Sequence, residues 1–313
     1  MARQRAFTHT ADRVIGPAGS ARRTLLGQVL QWGFMAALAV FVLVRLNRLG
    51  WDQVLSALPT TPWFYALFAL RYMTLPLADT WIYGRLVGRS QWRHVPVFIR
   101  KKIFNFDFFS YSGEAYFTFW ARREWGRSTM DVLRLVKDVN LTSAAVSNLA
   151  TVLFLTVLLI EGSIYTLPLN GIVAGAVALI ALDLGLILGL VLLRRRLLSS
   201  DGGPLAQVTC MHAGRFALTF VLQLLMYAVA LPSVSLSTWF LFLTLYQIVN
   251  RLPLVPNKNL TFFAAALPMA GAVQIPEAAL AGVLLAFTGV QQATTLSLLL
   301  IFSTGSRKVP AQA

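Results

Sequence analysis

A run of apolar residues from Leu169 to Leu193 ends in three consecutive arginines, Arg194, Arg195 and Arg196. About 20 apolar residues are what an α-helix needs to cross the hydrocarbon core of a bilayer, and a basic cluster at one end marks the cytoplasmic side. The same pattern recurs along the chain. Leu30 to Leu46, Trp63 to Tyr83, Asn140 to Ile160, Phe216 to Leu231, Leu236 to Val249 and Glu277 to Phe302 are further runs of this kind, and Arg85, Arg89, Arg93 and Arg100 follow the second of them. Leu260 to Val273 is too short for a comfortable crossing and reads as a short span or a second re-entrant element. The expected fold is all-α, a polytopic membrane helix bundle of seven or eight spans with one or two re-entrant hairpins.

Composition agrees. The chain is 57% hydrophobic and only 12% charged, with a mean hydropathy of +0.66, outside the range of ordinary soluble domains. Its 27 lysines and arginines against 12 acidic residues give a net charge of +15. In a soluble protein that balance would suggest nucleic acid. Here the bases sit at the ends of apolar runs, so no nucleic acid is expected and anionic membrane lipids are the expected partners, at about 1 kcal/mol per basic residue near such a surface. Residues 1–28 carry five arginines and read as a basic cytoplasmic tail, 29–305 as the membrane domain, and 306–313 as a C-terminal tail holding Arg307 and Lys308. The expected location is the inner (cytoplasmic) membrane with the N-terminus in the cytoplasm. Cys210 is the sole cysteine, which excludes an intrachain disulfide framework. His9, His94 and His212 fall in tail or loop positions without metal-ligand spacing, the segment from Leu197 to Ala213 being read as a short polar loop. With no HExxH, P-loop, GxGxxG or GxSxG pattern, neither metal nor cofactor is expected.

The stretch from Ile103 to Trp120 has a different character. Arg100, Lys101 and Lys102 precede it, and Arg122, Arg123 and Arg127 follow it. Basic clusters at both ends place both ends on one side, so the stretch reads as a re-entrant hairpin, broken at Ser112-Gly113-Glu114 with Gly113 permitting the turn. Non-helical backbone at that depth requires surrounding protein or a water-filled cavity. A charge at the centre of a lone membrane helix costs about 2.5 to 3.5 kcal/mol, so each one needs a partner or water. The ionisable residues within the apolar segments are Arg71, Asp79, Asp107, Glu114, Asp183 and Arg251. With Gly113 they are the candidate substrate path. Arg71 and Asp79 lie about 12 Å apart along one helix and cannot touch, which leaves Asp107 or Glu114 as the nearest acids in sequence for Arg71. Asp79 has a second reading as a solvated residue near the cytoplasmic end. Glu114 either faces a cavity or sits in the first turn of a helix capped by Ser110 or Ser112. Asp183 is either a protonated acid bonded to another helix or part of a proton-coupled step. Arg122, Arg123 and Arg127 either set topology or grip lipid phosphates with their guanidinium forks.

Two spans, then Asn105, Ser112-Gly113-Glu114, Arg122-Arg123, Gly126-Arg127-Ser128 and Asp138 leading into a long span, form an order that resembles the membrane domain of the lysylphosphatidylglycerol synthase and flippase-like family. The likeness extends over residues 25 to 305. Ala115-Tyr116-Phe117 stands where family members carry an arginine, Val136-Lys137 replaces a glutamate-arginine pair, and Pro256-Asn257-Lys258-Asn259 replaces a glycine-rich break ending in glutamate. The resemblance implies a flippase or transporter that moves a phospholipid or other amphipathic lipid across the cytoplasmic membrane. The soluble domain that aminoacylates lipid in full-length synthases has no counterpart here, so aminoacyl transfer is not expected. Other classes fitting the residues are a membrane-embedded enzyme on a lipid-linked substrate, with Asp107 and Glu114 as base or metal ligands, and an accessory subunit of lipid or polysaccharide assembly. A homo-oligomer is compatible with all of these.

Overall fold

The computed structural model describes residues 33, 36–105, 111–166, 171–199, 202–251 and 257–305, and among them there is no strand. Helix α1 covers 36–49 and turns at Gly50, whose φ of 87° lies in the left-handed region, into α2 (Trp51–Ser56). Helix α3 (Pro62–Val87) starts on a proline, where the missing N–H costs nothing, and ends at a left-handed Gly88. Then come α4 (Val95–Ile103), α5 (Ser112–Trp125) and α6 (Thr129–Glu161), which is 33 residues long and opens on Ser128 accepting the Asp131 N–H. Helices α7 (Ile172–Leu197), α8 (Gly202–Ala230), α9 (Leu236–Arg251), α10 (Lys258–Ala266) and α11 (Glu277–Gly305) complete the order.

Four of these are long and apolar enough to cross a membrane: Thr129–Glu161, Val173–Leu197, Gly203–Ala230 and Glu277–Phe302. Leu182, Leu186, Leu188 and Leu192 of α7 are exposed, as expected of side chains facing lipid. The segment 260–273 consists of the greater part of the nine-residue α10 followed by two 3-10 turns, Leu267–Met269 and Gly271–Val273. At 1.5 Å per residue α10 is about 14 Å long, less than half a hydrocarbon core. It is buried inside the bundle instead, with Phe262, Phe263 and Ala266 in the main core.

The short polar loop expected from Leu197 to Ala213 is corrected. Helix α8 already begins at Gly202. Pro204 lies in its first turn, where proline suits the helix, and the residues that follow bury Val208 against Ile82 and Tyr83 of α3. Glycine and proline marked a helix start there, not a loop. Two cores result. The larger gathers α9, α10, α11 and the first half of α3; the smaller joins the second half of α3 to α4, α5, α6 and Val208.

Gly282 of α11 faces α2 so closely that a Cβ would lie 2.5 Å from the Ala57 carbonyl oxygen, whereas Gly289 on the same helix has open space. Gly282→Leu is therefore expected to cost about 1–3 kcal/mol through overpacking. Gly289→Leu is the matched control, and a thermal unfolding curve in detergent that shifts equally for both would contradict this packing.

Candidate functional site

Helix α3 lies along α8 in the most extensive helix pairing of the bundle. The two run antiparallel, and polar side chains meet along their seam in three successive layers. In the first, Arg85 donates from Nε to Gln207 Oε1. In the second, Asp79 of α3 lies within electrostatic reach of His212 and Arg215 of α8. In the third, Arg71 Nε donates to Gln223 Oε1 at 2.9 Å, Gln223 Nε2 donates to Tyr227 Oη at 3.0 Å, and the Arg71 guanidinium stands 4.9 Å above the Phe287 ring. From Arg85 to Arg71 the seam runs about 21 Å along α3.

Helix α4 fixes the middle layer. Lys101 Nζ donates to Asp79 Oδ2 at 2.7 Å, and the two residues are only 4% and 5% exposed. The Lys101 ammonium also lies 5.1 Å from the Tyr83 ring centre and 5.5 Å from that of Phe117. Its neighbour Lys102 solves a different problem. Pro76 inside α3 has no N–H to offer the Tyr72 carbonyl one turn earlier, and Lys102 Nζ donates to that carbonyl at 2.6 Å. Both lysines, expected only to set topology, are structural ligands of α3.

Helices α4 and α5 pack on each other as a hairpin. Ser112 Oγ donates to the Phe104 carbonyl at 2.6 Å, Asn105 Oδ1 accepts the Gly113 N–H at 2.7 Å, and Asn105 Nδ2 donates to Glu114 Oε1 at 2.9 Å. The turn conformation belongs to Tyr111, with φ of 69°, not to Gly113, which is helical. Glycine is required at 113 because a Cβ would collide with the Lys101 carbonyl oxygen and the Asn105 side chain. Glu114 sits in the first turn of α5, whose N-cap is Tyr111 without a side-chain cap bond; Ser112 bonds the Phe104 carbonyl instead, and Ser110 lies outside the described residues.

The other expected site residues are dispersed. Arg71 pairs with Gln223 of α8 rather than with an acid of the hairpin. Asp107 lies outside the described residues. Asp183 is buried on α7, which packs along α6 and away from the seam. Arg251 is the last residue of α9, and its side chain lies outside the described residues. Arg122 and Arg123 are exposed and Arg127 half-buried at the end of the bundle where Arg93 meets Glu124 at 2.7 Å. At that end too, the Asp138 carboxylate accepts the Ser199 N–H at 2.9 Å, tying α6 to the segment after α7. His212, expected in a loop, is inside the bundle at 2% exposure. It and Arg215 were hidden by the early start of α8; the apolar spacing from Leu205 to Val208 behind Pro204 was the available signal. Among the described residues no group of three or more His, Cys, Asp or Glu side chains is placed to hold a metal ion. No family model matches the chain, and neither a curated protein nor a solved structure matches it.

Removing one member of a buried ion pair leaves an uncompensated charge and costs about 3–5 kcal/mol, whereas replacing both is far milder. Asp79→Asn and Lys101→Met are each expected to lower unfolding stability in detergent by that order, with the double variant closer to wild type than either. Additive losses in the double variant would show that the two side chains do not depend on each other.

Proposed function

We propose that this protein is an integral membrane lipid flippase or transporter that moves a phospholipid or other amphipathic lipid across the cytoplasmic membrane, with its N-terminus in the cytoplasm. The observation that carries this reading is the polar seam between α3 and α8. Polar and charged groups follow the contact of two largely apolar helices for about 21 Å, exposed at Arg85 and Gln207 and buried at Asp79, His212 and Gln223, and such groups in a membrane domain mark the paths of polar cargo. A lipid headgroup follows the seam while its tails remain in the bilayer. The α4–α5 hairpin enters and leaves from the cytoplasmic side and borders the seam through Lys101. Arg71 stands at one end of the seam, and Glu114 acts on Lys101 at its middle layer. Arg122, Arg123 and Arg127 offer guanidinium forks to headgroups at the cytoplasmic rim. The resemblance of residues 105–138 to the lysylphosphatidylglycerol synthase and flippase-like family supports the same reading.

The test is translocation of a fluorescent phospholipid in reconstituted vesicles, read by quenching from outside. Arg71→Ala and Glu114→Gln, in protein that remains monodisperse, are expected to slow the rate about tenfold, the equivalent of about 1.4 kcal/mol. An exposed-face variant, Leu186→Ala, should leave it unchanged. Wild-type vesicles no faster than protein-free ones would overturn the transport reading.

A further inference from the structure

We propose that His212 and Arg215 of α8, together with Ser143 of α6, form an interior site for the phosphate group of a lipid, beside the Lys101–Asp79 pair. The inference rests on the reading of the bundle as a lipid transporter and names the chemical class of its substrate. His212 and Arg215 are three residues apart on a helix and share one face. His212 is 2% exposed, and its ring has no side-chain hydrogen-bond partner among the described residues, only the Val139 backbone standing close enough to act on it. Arg215 donates from one Nη to Ser143 Oγ at 3.1 Å, while its Nε is buried without a partner among the described residues. A guanidinium carries five donors and an imidazole at least one, so much of the donor capacity here is unspent.

The fixed acids do not fill the gap. Asp79 acts electrostatically on Arg215, but its hydrogen bond goes to Lys101 at 2.7 Å. Glu114 is held by Asn105 at 2.9 Å, and among the described residues no carboxylate forms an ion pair with Arg215. The missing group is therefore anionic and rich in acceptors. The donors come from two helices, α6 and α8, joined where Arg215 meets Ser143. A phosphate, with oxygens pointing several ways and a two-point fit to guanidinium, suits them. Arg215 is itself only half-buried, and its chain neighbour Gly214 is exposed with no atom within 4 Å of where a Cβ would stand, so this part of α8 is open from the side. An acyl lipid can thus place its phosphate at Arg215 with its tails outside the bundle.

Equilibrium binding to the full-length protein in detergent provides the test, using phosphatidylglycerol, diacylglycerol with the same tails, and inorganic phosphate as probes. Wild type is expected to bind phosphatidylglycerol about tenfold more tightly than diacylglycerol; equal affinities overturn the site without any need for a variant. Arg215→Gln and His212→Asn should each bring phosphatidylglycerol down towards the diacylglycerol affinity, and a wild-type affinity in both overturns it as well. Displacement of the lipid by millimolar inorganic phosphate would make a free oxyanion the occupant and sink the lipid assignment. Binding and transport fail separately. Phosphate-selective binding without translocation removes the transport reading alone, and translocation with no phosphate preference removes the site alone.

Discussion

A helix packed inside a bundle needs a donor for every backbone carbonyl, and α3 does not supply all of its own. Pro76 leaves the Tyr72 carbonyl without its intrahelical donor, and Asp79, three residues later, adds a buried charge to the same helix. Two consecutive lysines of α4 repair both defects, Lys102 at the carbonyl and Lys101 at the carboxylate. This double repair holds the hairpin against α3. Lys101 must reach inward past Tyr83 and Phe117, and α5 must lie close enough to α4 that only glycine fits at position 113. The ring cluster of Tyr83, Phe98 and Phe117, with Tyr83 and Phe117 centroids 4.4 Å apart and Phe98 and Phe117 5.3 Å apart, then closes over the ion pair and excludes water from it. Low polarity around the pair strengthens their attraction and makes loss of either partner severe.

Much of the architecture is legible in the sequence because it depends on local hydropathy. The apolar runs at 140–160, 169–193 and 277–302 coincide with three of the four span-length helices. What escapes is what depends on partners distant in sequence. Lys101 and Lys102 look like topology signals, since a count of positive charge cannot distinguish a lysine in water from one bonded to a neighbouring helix. Gly113 looks like a turn because glycine serves both turns and close approaches, and only the facing carbonyl of Lys101 decides between them. Arg215 and His212 escape for a local reason: Gly202, Gly203 and Pro204 read as loop residues, although proline in a first turn starts helices well. Pro76 within an apolar run followed by Asp79 was the strongest unused signal, since a carbonyl deprived of its intrahelical donor and a buried acid two turns further on demand donors from another helix.

The seam and the ion pair constrain each other. Asp79 could neutralise Arg215 or Lys101, and its carboxylate accepts from Lys101 at 2.7 Å while no ion pair joins it to Arg215 among the described residues. Helix α4 is thereby secured at the expense of α8, whose donors stay directed into the bundle. An interior built only for stability would replace such donors with apolar side chains, because a buried polar group without a partner costs more than its hydrogen bond returns. Their retention beside an exposed glycine, in the middle of the longest antiparallel pairing of the molecule, is the arrangement expected when the remaining partner arrives from the bilayer.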